Sequence, residues 1–221
     1  METFNLKIVS LVLTRSFMET IDRIIQGSEE LFMRYGVKSI TMDDIASHLS
    51  ISKKTIYQNF KDKDALVIAV TKIHMEQEIV DMDKIVAESK DAIDEFFKVT
   101  QYVKAALVKM NPSVLFDIKK YHPKAYTLFE EHKTACIMGT IKRNLEVGIK
   151  EGVYRKEIDP DVLAKMRSWQ IELPFDPTVF PPKDYNMLEV SMQFLDHFVM
   201  GLVTPKGLEI LENYRKQYEN Q

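Results

Sequence analysis

The chain has 221 residues, a formal net charge of −3 at pH 7, 45% hydrophobic residues and 29% charged ones. This length supports a sizeable core divided between a small and a larger domain, and the balance is that of a globular protein, which excludes fibrous and disordered classes. Cys136 is the single cysteine, so a disulfide-built secreted scaffold is excluded and a reducing, cytoplasmic setting is expected; no apolar run approaches the ~18 residues of a membrane span, so no membrane partner is expected.

Residues 1–17, METFNLKIVSLVLTRSF, have an apolar centre at 8–13. It is shorter than the ~7–15 residues of a secretory core, and no small-residue cleavage site follows. Weak order, or an additional N-terminal arm or helix, is expected here, and Met18 is an alternative start. A helix then carries Ile21, Ile24, Ile25, Leu31, Phe32 and Tyr35 on one stripe, and Gly36 suits the left-handed position that ends it.

Residues 41–61, TMDDIASHLSISKKTIYQNFK, read as two short helices joined by a tight turn. Thr41 caps the first, with Asp44 in the capping-box position. Ile45 and Leu49 share its inward face. Ser50-Ile51 breaks the pattern, and Ser52 caps a second helix with Ile56 and Phe60 inward. Lys53, Lys54, Thr55, Tyr57, Gln58 and Asn59 are left facing outward or sideways. Two helices this short must lean on a neighbour, which is the arrangement of a helix-turn-helix whose second helix enters the DNA major groove. The basic residues Arg34, Lys38, Lys53, Lys54, Lys61 and Lys63 gather around it, while the acidic excess lies elsewhere. A local basic face on an acidic chain suits one DNA-binding module, although most charge clusters are only solvated surface.

These blocks carry a family resemblance. Residues 21–66 resemble the N-terminal domain of the TetR family of bacterial transcriptional regulators. The matching pieces are Leu31-Phe32 with Tyr35-Gly36, Thr41 to Ala46, Ser52 to Tyr57, and Phe60 to Leu66. Two departures stand out: Ser50 replaces the Gly or other small turn residue more usual there, and Asn59 replaces an aromatic or His. The resemblance implies DNA contacts from Thr41, Lys53, Lys54, Thr55, Tyr57, Gln58 and Lys61. Of these, Lys54, Thr55 and Gln58 would reach base edges and the rest phosphates. It also implies a homodimer on double-stranded DNA and a C-terminal domain that takes a small-molecule effector.

After residue 66 only helical pattern remains. A long helix capped by Asp62 is expected to run to about Val80, and others over 92–110, 113–121, 123–150, 161–171, 186–202 and 205–218. Asn111-Pro112 and His122-Pro123 interrupt the pattern, Gly152 ends one helix, and Asp159-Pro160 starts another. Residues 172–184 form a loop rich in Pro and aromatics. The helix after Asn186 is apolar on more than one face and is expected to be buried on two sides. Candidate lining residues of an effector pocket are Phe97, Tyr102, Phe116, Tyr121, Cys136, Met166, Trp169 and Phe194, each of which could equally be plain core.

Catalysis and metal binding find little support. The five His form no metal-spacing cluster beyond His74 and Glu78, four apart, a spacing that arises often by chance. There is no glycine-rich phosphate loop and no nucleophile elbow. The expected architecture is therefore all-α: an extension over 1–17, a three-helix helix-turn-helix domain over 18–66, and a larger helical regulatory and dimerisation domain over 67–221. The expected function is a non-enzymatic, sequence-specific DNA-binding regulator without cofactor, a repressor released from a palindromic operator by a small apolar effector. A helical binding protein with a vestigial DNA head, and an enzyme working in the C-terminal pocket, are the other classes considered.

Overall fold

In the computed structural model the backbone is described for residues 2–219 and the side chains for residues 19–217. Among these residues the regular elements are helices, with one isolated antiparallel bridge between Tyr154 and Val203. The first helix, α1 (Glu2–Tyr35), takes in the segment for which weak order is expected. The stretch contains neither Gly nor Pro, so nothing in it stops a helix from continuing. The alternative start at Met18 falls where side chains lie outside the described residues. At its other end α1 stops at Gly36, whose φ of 83° is the left-handed value expected of a helix stop.

Helices α2 (Met42–Leu49) and α3 (Lys53–Asn59) follow, then α4 (Lys63–Glu88). Ile45 and Ile56, one from each short helix, are fully buried with Ile24 of α1 and Leu66 of α4. This shared core is what holds two helices too short to stand alone. It extends past residue 66 to Val67 and Val70 of α4, and it includes Val114 and Ala125 from the C-terminal half. Asp62 caps α4, its carboxylate accepting the Ala65 N–H at 2.8 Å. The helix runs two turns beyond Val80, because no Gly or Pro intervenes before Ser89. At about 1.5 Å per residue it spans roughly 39 Å, long enough to belong to both halves of the molecule.

The C-terminal half contains α5 (Ala92–Lys109), α6 (Val114–Tyr121), α7 (Pro123–His132), α8 (Met138–Glu151), α9 (Pro160–Gln170), α10 (Met187–Leu202) and α11 (Pro205–Glu219). The long helix expected over 123–150 is divided: a π-helical turn, Lys133–Ile137, joins α7 to α8. Such turns insert one residue and cluster at functional sites. The core here is built from Ile93, Phe97, Leu145, Tyr154, Phe198, Val199, Leu202 and Leu211. Tyr154 is fully buried, and its hydroxyl donates toward the Ala92 carbonyl (3.2 Å) and Asn144 Oδ1 (3.1 Å). Helix α10 buries Val190, Leu195, Phe198, Val199 and Leu202 but leaves Asp196, His197 and Met200 exposed. In a single chain it is therefore covered on one side, not two. No helix among the described residues is long and apolar enough to cross a membrane.

Candidate nucleic-acid interface and the helical cavity

The turn between α2 and α3 is set by local hydrogen bonds. Thr41 and Asp44 form a reciprocal capping box: the Asp44 N–H donates to Thr41 Oγ1 (3.2 Å) and the Thr41 N–H to Asp44 Oδ2 (2.8 Å). These bonds to Thr41 hold the Asp44 carboxyl below its ordinary range. Ser50 sits at φ 52°, ψ 41°, a left-handed conformation. Ser52 caps α3 by accepting the Thr55 N–H at 3.1 Å. With Ile56 buried, the helix presents Lys53, Lys54, Tyr57 and Gln58 to solvent, flanked by exposed Thr41 and Lys61.

Their surroundings differ. Lys53 is ion-paired with Asp43 across the turn, while Lys54 has no acidic partner among the described residues. Thr55 is half-buried, its hydroxyl 2.8 Å from that of Ser52 and so engaged in the cap. Asn59 also turns away from solvent: it donates to the Thr55 carbonyl at 2.7 Å, and its own side-chain oxygen is buried without a partner. Six of the seven residues named for DNA are therefore exposed, and Thr55 is half-buried.

This head is clamped to the C-terminal half by α6 and the residues flanking it. The Lys38 N–H donates to Asp117 Oδ2 (2.9 Å), the Asn111 N–H to the Met33 carbonyl (2.6 Å), and His122 Nδ1 lies 2.5 Å from Asp64 Oδ1. Lys38 also sits over the Tyr121 ring, 5.0 Å from its centroid. Tyr121 thus belongs to the clamp. A second link joins α1 to α4, where His74 Nδ1 is 2.6 Å from Glu29 Oε1. That bond raises the His74 pKa against the opposing effect of burial. A small cavity of about 190 Å³ lies at this junction, between Phe32, Val70, His74, Val114 and Phe129.

A larger cavity, about 630 Å³, lies between α4, α5, the π turn and α8, α9, and α10. This is within the ~300–1,000 Å³ range of small-molecule sites. Phe96, Val99, Val103, Leu107, Phe194 and Phe198 give it apolar walls. Its mouth lies where lining residues are also exposed: Ile79 and Asp83 on α4, Ala135 and Gly139 near the π turn. Polar groups reach it as well. Arg143 is paired with Glu95, and Glu78 Oε2 is 3.2 Å from His132 Nε2, a contact too poorly aligned to count as a hydrogen bond. Tyr102 has its pKa pushed up to about 12 by burial and by the nearby carboxylates Glu78 and Asp81. Among the described residues no three His, Cys, Asp or Glu converge as metal ligands do.

Of the eight pocket residues named from sequence, Tyr102, Cys136 and Phe194 line this cavity. The other five do not. Phe97 is core, stacked on Tyr214 with centroids 6.1 Å apart. Phe116 is exposed beneath Lys120, and Tyr121 meets Lys38. Met166 and Trp169 lie on the outward face of α9, Trp169 being 70% exposed. The inward face of that helix carries Arg167 and Gln170 instead. Aromaticity was the wrong signal for α9; the useful one was the i, i+3 spacing of two polar residues on the stripe facing the core.

The capped pair α2–α3, seated on α1 and presenting a polar, basic second helix, is a helix-turn-helix DNA-binding module. Residues 24–70 match the family model for bacterial regulatory proteins, tetR family. The uncharacterized HTH-type transcriptional regulator YvaF of Bacillus subtilis (strain 168) is 28% identical over 190 residues, covering 81% of this chain and 94% of YvaF. The fold matches a Saccharomonospora viridis protein solved in complex with choline, at a TM-score of 0.67, 19% identity, and coverage of 85% and 99% of the two chains. It also matches FadR from Bacillus subtilis in complex with stearoyl-CoA, at a TM-score of 0.58, 19% identity, and coverage of 81% and 97%. Residues 24–70 are therefore a helix-turn-helix domain of the tetR family of bacterial regulatory proteins, and over most of its length the chain is similar to HTH-type transcriptional regulators.

Proposed function

We propose that this regulator is a homodimeric repressor, bound to a palindromic operator and released when a small effector enters the 630 Å³ cavity. One observation carries the reading: α4 is a wall of that cavity and, without a break, packs Leu66, Val67 and Val70 into the DNA-binding core. An effector that favours one position of α4 therefore changes the placement of the head, and affinity for DNA follows by population shift. The apolar walls support an effector with a largely apolar body. Ligand complexes of fold neighbours, with choline in one and stearoyl-CoA in another, are consistent with a cavity of this kind.

At the DNA, Lys54 and Gln58 would read base edges, as Lys suits guanine and Gln adenine, with Thr55 at the margin. Thr41, Lys53, Tyr57 and Lys61 would contact phosphates. Two-fold symmetry of the protein requires two matching half-sites. The dimer is proposed to form through α9 and α10. The exposed stripe Val162, Met166 and Trp169 on α9 and Met200 on α10 is apolar surface that a second copy would cover. Trp169 is the only tryptophan of the chain, so a concentration-dependent blue shift of its emission reports that contact.

The test is selection from a random duplex pool at moderate salt. An enriched palindrome whose binding weakens steeply as salt rises is expected, because each neutralised phosphate releases counterions. Enrichment of unpaired half-sites by a monomer would sink the dimer, and binding indifferent to salt would sink the DNA-facing assignment.

A further inference from the structure

The charges around the large cavity do not cancel. The acids are Glu78, Asp83 and Glu95, and the bases Arg143, Arg167 and His132. Glu95 is taken by Arg143, and Glu78 faces His132. Asp83 is exposed at the mouth, where water solvates it. Arg167 is left over. It makes no hydrogen bond or ion pair with any described residue, and its nearest aromatic neighbour is the Phe198 ring, 6.0 Å from the guanidinium carbon to the centroid. Burial alone lowers its pKa to about 10, with no carboxylate compensating.

An uncompensated guanidinium against apolar walls costs stability, and such a group is kept where a ligand completes it. Its planar fork matches two oxygens of one carboxylate. One turn further along the same face, Gln170 lines the cavity with its side-chain oxygen buried and without a partner. An amide beside a guanidinium adds a second polar contact for the same head group, while Phe96, Val99, Phe194 and Phe198 receive an apolar body.

We infer that the cavity takes an amphiphilic organic anion of the carboxylate class, its head on Arg167 and Gln170 and its body against the α5 and α10 aromatic wall. This rests on reading the cavity as the effector site and deepens it by assigning the charge of the ligand. Glu78 faces the His132 imidazole and Asp83 lies at the rim, and binding of a cation to either is the outcome the test must exclude.

Three straight-chain probes of equal length separate the alternatives: decanoate, decan-1-ol and decyltrimethylammonium, each titrated into the full-length protein by calorimetry. Decanoate is expected to bind at least about tenfold more tightly than the alcohol, or about 1.4 kcal/mol, with the cation weakest. Arg167→Gln should erase the preference for decanoate and Arg167→Lys should retain part of it. Equal binding of acid and alcohol, the cation binding best, a preference that survives Arg167→Gln in a folded variant, or no binding by any probe would each overturn the inference. The wild-type ranking decides even if Arg167→Gln fails to fold. Release of a selected duplex is measured separately. Arg167-dependent decanoate binding without release removes the regulatory reading and leaves this inference, whereas a selected palindrome with no anion preference does the reverse.

Discussion

The two halves of the molecule bury different things. The DNA-binding head is a closed apolar core, in which Ile24, Ile45, Ile56 and Leu66 are fully excluded from solvent, and its functional groups stand outside on capped helix ends. The C-terminal half buries Glu95, His132, Lys133 and Asn144 and surrounds a 630 Å³ cavity. A head that must match a groove gains from rigidity, and its caps and apolar packing favour one conformation, with Ser50 and the buried Asn59 oxygen as exceptions. If this half responds to a ligand, as proposed, then the contacts it leaves unmade, those of Arg167 among them, are the ones a ligand would complete. Rigidity and responsiveness meet in α4, which belongs to both.

The largest expected effect tests the head. Ile56→Ala removes the one fully buried side chain of α3 and should cost about 2–5 kcal/mol in chemical denaturation, as buried large-to-small changes do. Loss of DNA binding should accompany it. If the variant is as stable as wild type, the head is not the closed core described here.

A matched pair then sets the halves against each other. In the head, a Cβ on Gly27 would lie 2.5 Å from Leu49 Cδ2, a buried side chain of α2. Gly27→Ala should therefore destabilise by about 1–3 kcal/mol through overpacking. At the cavity, a Cβ on Gly139 meets nothing within 4 Å. Gly139→Ala should stabilise by up to about 0.5–1 kcal/mol, the ordinary gain in a helix. The same substitution is thus expected to have opposite signs, read from the shift in unfolding midpoint. Two effects of one sign would erase the contrast between a filled half and an open one.

The contrast also explains what the sequence discloses. The head was legible because its determinants are local: Thr41 with Asp44, Ser52 with Thr55, and Ile45, Leu49 and Ile56 within a few residues of one another. Caps and i, i+4 faces can be seen in a linear string. The cavity is assembled from five separate stretches between Glu78 and Phe198, and no window of sequence contains it. Helix α9 shows the difficulty. Its aromatic Trp169 faces out and its charged Arg167 faces in, the inverse of the usual rule, because the helix has two faces to occupy and a void behind one of them. The π turn was hidden for a related reason: Lys133–Ile137 holds no Gly or Pro to mark it, and the Lys133 contact with Glu172 joins residues 39 apart in the chain.

A pH titration probes the seam between the halves. His74 on α4 faces Glu29 of α1, with Glu78 one turn along its own helix and His132 of α7 beyond Glu78. The hydrogen bond to Glu29 raises its pKa above the ordinary 6.5. The protonated pair therefore contributes its full stability below about pH 6.5, and the contribution is lost as pH rises through the higher folded-state value. Unfolding midpoints at pH 6 and pH 8.5 should differ in that direction, modestly because the site is partly solvated. Glu29→Gln should flatten the difference. A wild-type protein more stable at the higher pH would show that the link is not held by His74 in its charged form.

The smallest effect lies in the turn itself. Ser50 is the only described non-glycine residue with a positive φ, at 52°. A side chain there costs about 1–2 kcal/mol relative to the right-handed region, because Cβ crowds the following carbonyl. Glycine escapes that cost but gives up about 0.5–1 kcal/mol of backbone entropy on folding. Ser50→Gly should therefore stabilise by only about 0.5 kcal/mol, near the resolution of a careful denaturant titration. The Ser50 N–H donates to the Ser47 carbonyl at 3.1 Å, and the substitution preserves that bond. Operator affinity should be unchanged, because the position of α3 is set by Ile56 and the Ser52 cap. A gain in stability accompanied by weaker DNA binding would mean that the strained turn positions the recognition helix, and that the head, like the cavity, keeps part of its function in an unrelaxed contact.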